Sequence, residues 1–327
     1  MVAALTAVSV LFGSNVARAD DAPKKRRSSS DGNVIVTVDE PAYPGLDIGD
    51  AIRIWLESFH APGAEIGDAE VDLSRPEVRL RARLPVDERV SMQLTGTFGA
   101  NLYDVDGEAG LFRDCAQCRL PDVLYSTSLG LQAGFLINES SYLLRPREQW
   151  AVLTAGFVRA RWEPGAFSDS ISGGGSLGLG YKLPEKLRIA LGARVETSIE
   201  DGKLGVGPMG DLRWDITDRW RLRNRGVGLQ LDYRPGRQLE FFVAGFRTSD
   251  RFQLDRREGD PSDLSVRDRQ ILAGAGIEWK LFDRLRITTE VGAIVTRKLT
   301  VSDENDDLDT AVGSGSPYFE LRVEVRP

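Results

Sequence analysis

The chain has 327 residues, 41% hydrophobic and 28% charged, with 42 basic and 49 acidic side chains for a net charge of −7. The two signs are mixed along its length, which excludes the basic face of a nucleic-acid binder. This composition also excludes a bundle of apolar membrane helices, but not a membrane β-barrel, whose strands are apolar on one side only.

The N-terminus opens on an apolar run of 12 residues, "VAALTAVSVLFG". That is too short to cross a bilayer at about 20 residues per helix. Ala17-Arg18-Ala19 then gives the small-x-small form of a signal-peptidase site before Asp20, so residues 1–19 are expected to be a signal peptide and the protein to be exported. Residues 20–68 read as a charged, Ser- and Pro-punctuated linker or extension. Its basic run at Lys24 to Arg27 reads as a solvated stretch. Within the extension, "LDIGDAIRIWLESFHAPG" fits a short amphipathic helix and a strand equally.

From Ala69 to Pro327 the hydrophobic period is two, which defines a single all-β domain over 69–327. Val78, Leu80, Ala82 and Leu84 alternate with Arg79, Arg81 and Arg83. Leu187, Ile189, Leu191, Ala193 and Val195 alternate with Arg188, Ala190, Gly192, Arg194 and Glu196. Short turns at "LPVDER", "RPREQ", "PEK", "TDR", "RPGRQ" and "FDR" each join two such runs as a hairpin. Mostly longer, more polar connections lie between the hairpins, "RNRG" being the exception. Short turns on one rim and long loops on the other are the grammar of an up-and-down antiparallel transmembrane β-barrel, and six hairpins give about 12 strands.

Alternation alone fits either orientation of the apolar face, because a soluble barrel enclosing a lipid-like ligand alternates too. The aromatics favour the membrane. Trp150, Trp214, Trp220 and Trp279, joined by Tyr181, Tyr233, Phe241 and Phe282, sit close to the short turns. Indole and phenol rings prefer the headgroup boundary, so this placement reads as an aromatic girdle. The opposite face would line the lumen with Arg79, Arg81, Arg83, Lys182, Arg188, Arg194, Glu196, Arg213, Asp215, Arg221, Arg223, Asp232, Glu240, Glu278, Lys280, Arg286, Glu290 and Arg322. Its excess of arginine hints at anion preference.

With its opening "EVDLSRPEVRLRARLPVDERVSMQL" and its hairpins of the form "WDITDRWRL", the chain from Ala69 to Pro327 resembles an uncharacterised family of outer-membrane β-barrel proteins, a domain of unknown function. The resemblance implies a fold and an outer-membrane location, and no catalytic residues. The terminal "VEVRP" departs from the aromatic ending usual in such barrels.

Chemistry beyond the barrel is sparse. Cys115 and Cys118, in "CAQC", are expected to close a local disulfide in an oxidising compartment. Two cysteines and the single His60 cannot furnish four zinc ligands. The acidic run with Asp303, Glu304, Asp306, Asp307 and Asp309 lacks the glycine and glutamate spacing of a calcium loop and reads as a solvated external loop. Barrel lipases and proteases need an imidazole in the barrel body, so no enzymatic activity and no cofactor are expected. The expected role is a passive pore or a structural envelope protein. Its expected partners are the lipid bilayer and small solutes, with no nucleic acid.

Overall fold

Period-two alternation sets successive side chains on opposite faces of an extended backbone, and each alternating run forms a β-strand. The computed structural model describes residues 52–326 apart from 88, 108–110, 113–114, 116–117, 138–148, 184–185, 198–203, 257–263, 304–306 and 314. The signal peptide, the Lys24 to Arg27 run, and Glu304 and Asp306 lie outside the described residues.

In chain order the strands are β1 (Ile52–Ile66), β2 (Ala69–Pro85), β3 (Val90–Asp106), β4 (Val123–Leu136), β5 (Gln149–Trp162), β6 (Ile171–Leu183), β7 (Leu187–Thr197) and β8 (Leu204–Asp215). They continue as β9 (Trp220–Asn224), β10 (Val227–Tyr233), β11 (Leu239–Gln253), β12 (Ser265–Phe282), β13 (Leu285–Ser302), β14 (Asp307–Gly313) and β15 (Ser316–Val325). One 3-10 turn, Ser168–Ser170, stands between β5 and β6.

From β1 to β14 each strand pairs antiparallel with the next, and β15 pairs with β1 through Ile54↔Val325 to His60↔Phe319, which closes the sheet into a barrel. Strands β14 and β15 both lie along β13, so they form one wall strand interrupted after Gly313, and the barrel has fourteen staves. The six predicted hairpins account for twelve. The first and last staves lie outside the six predicted hairpins, and they are the two that find each other to close the ring; β1 joins β2 through the two-residue turn Gly67-Asp68, a tight turn on the rim expected to carry the long loops. The segment that fitted helix and strand equally is β1, in register with β2 from Ile52↔Ala82 onward, so the barrel begins ahead of Ala69.

The apolar face points outward. Leu191, 67% exposed, Leu177, Leu179, Val158, Val243 and Val291 all stand on the outer surface, against buried Arg194, Glu196, Glu240 and Glu290 on the inner one. Such a wall is stable only with hydrocarbon outside it, and the closed ring leaves the membrane-spanning backbone no exposed sheet edge over most of its circumference. Fourteen tilted strands enclose a backbone radius of roughly 13 Å.

Candidate pore interior

The residues expected to line the lumen share the inward face. Arg79 bonds Glu77 at 2.8 Å, Arg81 stacks over the Trp55 ring at 4.8 Å, and Arg83 donates to Gln93 at 3.3 Å. Asp215 gathers Arg221, Arg234 and Arg213 at 2.8, 2.5 and 3.5 Å. Asp232, Arg223, Glu240, Lys280, Glu278 and Arg286 continue this ladder along the inner wall of β9 to β13. Arg188 pairs with Asp211 at 3.0 Å, and Glu196 takes both Arg159 and Arg194. Opposite charges that alternate along one face can neutralise one another on neighbouring strands, so the wall carries them without filling the bore with unpaired charge.

The aromatics expected to form a girdle stand near the short turns. Trp150, Trp214, Trp220 and Trp279 are 41–53% exposed, and Tyr181 and Tyr233 pack against Trp150 and Trp220 with ring centroids 4.9 and 4.8 Å apart. Cys115 and Cys118 are disulfide-bonded in the connection between β3 and β4.

Sequence reasoning missed two features of the interior. The first is a plug. In the long-loop half, Ala61, Ala64, Ile66, Val71, Leu73, Tyr103, Phe252, Val266, Ile294, Leu299 and Val301 turn inward and form one buried apolar cluster with Leu111, Phe112 and Leu120 of the β3–β4 connection. A polar chain crosses the plug. Arg297 pairs with Asp268 at 2.9 Å, Tyr103 of β3 donates to Asp268 of β12 at 3.1 Å, Asn101 donates to Tyr103, and Arg75 links Asn101 to Asp250. Arg161 of β5 takes Asp250 at 2.8 Å and completes the crossing. Below it Arg225, from the β9–β10 turn, reaches across to Glu290 and Glu320 with its guanidinium 4.1 Å from the Phe246 ring centroid. Glu290 also accepts from Tyr318, and Arg322 joins Glu320 to Glu57.

The second is a seam that the linear order of strands does not imply. The upper end of β11 leaves its neighbour β10 and meets β5 in a parallel contact, Gln253↔Trp162, with Glu163 N–H donating to the Gln253 carbonyl at 2.8 Å. The Glu163 carboxylate pins the seam. It receives both guanidinium nitrogens of Arg119 at 2.5 and 2.9 Å and the Asp255 N–H at 2.9 Å. At the seam, β11–β15 and β1–β5 surround the plug, and β6–β8 stand outside that ring.

What remains inside is lopsided. The inner faces of β3, β4, β6 and the upper half of β8 carry Thr95, Thr97, Ser126, Ser128, Gly130, Ser176, Gly178, Gly205 and Gly207. These side chains are too short to reach the axis. One close approach explains a glycine here. The Phe157 ring lies over Gly174, where a Cβ would meet Phe157 Cζ at 2.5 Å and the Val195 carbonyl at 2.3 Å, and Arg194 stacks 3.8 Å from the centroid of the same ring.

No family profile and no curated protein matches the chain in sequence. Among solved structures it is similar to an outer membrane channel from Pseudomonas putida F1, with 11% identity, TM-score 0.45, and 88% of this chain and 99% of that one covered. It is similar to a deltaS2 mutant of the TodX monoaromatic hydrocarbon channel, with 9% identity, TM-score 0.43, and coverage of 85% and 91%. The NanC porin gives 8% identity, TM-score 0.34, and coverage of 84% and 100%.

Proposed function

We propose that the protein is an outer-membrane pore for small solutes, exported by its N-terminal segment, with a conduit displaced from the barrel axis toward β3–β8. One observation carries this reading. Glycine, serine and threonine gather on the inner faces of β3, β4, β6 and the upper half of β8, between the longer inward chains Arg159 and Arg161 of β5 and Arg188 and Arg194 of β7, whereas the opposite wall is filled with long charged chains throughout. A closed barrel with no task beyond its own stability has no reason to gather its shortest side chains on one part of its inner wall, since packing the interior contributes to folding.

The arginines behind this strip, Arg159 and Arg194, share Glu196 and favour anions over cations in passage. The rival reading, a sealed structural barrel, is favoured by the plug. Reconstitution of the refolded protein in planar bilayers separates them. Stepwise ohmic conductance with a reversal potential shifted toward the anion is expected in a KCl gradient. A properly folded barrel that inserts and passes no current overturns the pore.

A further inference from the structure

The wall is incomplete where the bilayer should be. Strand β9 ends at Asn224 and β10 begins at Val227, so their hairpin reverses through Arg225 and Gly226, the latter at φ +59°. The turn stands only four residues above Trp220 of the girdle. At about 3.3 Å per residue and a tilt of about 40°, that is roughly 10 to 15 Å, near the middle of an apolar band about 25 Å tall. The flanking strands continue past it. Strand β8 runs on to Leu204 although its pairing with β9 stops at Arg213↔Arg223, and β11 runs on to Gln253 although its pairing with β10 stops at Val227↔Arg247. Two absent staves leave a gap of roughly 14 Å between β8 and β11 at the level of the turn.

Backbone groups on such edges cannot face hydrocarbon. At membrane depth, non-helical backbone without partners survives only where it lines a water-filled cavity or is buried in protein. Asn224 satisfies the first of them, accepting from Leu212 N–H at 2.8 Å and donating to the Gly210 carbonyl. Beyond that cap β8 has a ladder on its β7 side alone among the described residues. Both faces of its end are open, with Leu204 and Val206 70% and 69% exposed and Gly205 exposed between them.

The rim of the notch is cationic. Arg247 stands on the outward face of β11 between Val227 and Ile271, and its side chain has no hydrogen-bond or ion-pair partner among the described residues. Arg251 and Arg269 follow higher on the same outer surface. Among the described residues, Asp250 and Glu196 point the other way. Asp250 is held inside by Arg161 and Arg75, and Glu196 by Arg159 and Arg194. Arg225 is drawn into the bore by Glu290 and Glu320, which leaves Gly226 as the sill.

We propose that the notch is a lateral portal between the bilayer and the small-residue side of the bore, and that it admits single-chain amphiphiles with an anionic head. The chain lies along the outward apolar face of β8 at Leu204 and Val206, and the head is met by Arg247. This rests on the reading of the barrel as a pore, and it supplies the route that the plug denies along the axis.

The test uses the whole protein in lipid nanodiscs with three probes: a palmitate carrying a diazirine in its chain, the matching palmityl alcohol, and a photoreactive two-chain phosphatidylglycerol. Crosslinks of the palmitate are expected to concentrate on peptides of β8 and β11 and to fall about tenfold for Arg247→Gln or for the alcohol, the factor for one charge-assisted contact. Labelling spread evenly around the belt overturns the portal, equal labelling by the alcohol overturns the anionic head, and equal labelling by the phosphatidylglycerol overturns the single-chain occupant. Heat-modifiable gel mobility certifies that Arg247→Gln is folded. An eight-residue alternating insertion between Arg225 and Gly226, which completes the wall, is expected to abolish the focused labelling; persistence of that labelling overturns the portal. KCl conductance is scored on the same protein. Conductance with unfocused labelling overturns the portal alone, and focused labelling without conductance overturns the conducting pore alone.

Discussion

The wall from β3 to β8 and the wall from β9 round to β2 obey one rule outside and opposite rules inside. Outside, Leu129, Leu179 and Leu191 on the first match Val243, Ile277 and Val291 on the second, because one bilayer meets both. Inside, the first wall sets Thr97, Ser128, Ser176 and Gly178 among Arg159, Arg188 and Arg194, where the second shows Glu240, Glu290, Arg322 and Arg79. The membrane fixes the outward face alone. The inward face is free to be built for packing or for passage, and in this barrel its shortest side chains are gathered in one half.

Substitutions that act on one half only can break that contrast. The largest effect is expected in the plug, where Asp268→Ala strands the fully buried Arg297, itself 0% exposed, and should cost about 3–5 kcal/mol in denaturant unfolding. An unchanged midpoint would remove the plug from the account of stability. Next comes the facing of the open half. Leu191→Arg places a charge in the lipid and should cost about 2–4 kcal/mol, whereas Ser176→Arg on the adjacent strand points into the bore opposite Arg194 and should cost about 1 kcal/mol or less, from the repulsion of that like charge. The reverse ranking would exchange the two faces.

At the boundary of the two halves, Glu163→Gln weakens the charged bonds to Arg119 and Asp255 that pin β5 to β11. It should cost about 1–3 kcal/mol and speed amide exchange at Asp255 more than at Leu231 of β10. The smallest change in stability with the clearest functional reading is Ser176→Trp, expected to lower KCl conductance to roughly half or less, while Thr288→Trp in the filled half leaves it unchanged. Equal effects at the two positions would place the conduit on the axis.

The class of fold and the outward face were legible because period two and the girdle are local signals. Trp214, Trp220 and Trp279 mark depth by their distance from a turn, and that distance is written in the chain. Strand β1 was less legible because Trp55 and Phe59 point inward while Ser58 and His60 point outward, which blurs the contrast between its two faces. The inward apolar residues of the plug were hidden for a related reason. Leu73, Val71 and Ala69 extend the same alternation as Arg79, Arg81 and Arg83, and only the change from polar to apolar along one face distinguishes plug from lumen. The "RNRG" connection stood out as an exception, but a short link between strands reads the same at a rim and at mid-wall.

The sequence by itself determined the alternation, the hairpins and the nearness of the tryptophans to the short turns, since each follows from side chains two residues apart or from a turn of two to five residues. The tertiary structure alone decided the closure of β15 on β1, the Gln253↔Trp162 seam and the notch above Gly226. These join residues from about 90 to more than 260 positions apart, or depend on how far one strand outlasts its neighbour. Register around a closed ring is set by all fourteen staves together, and no short stretch of the chain carries it.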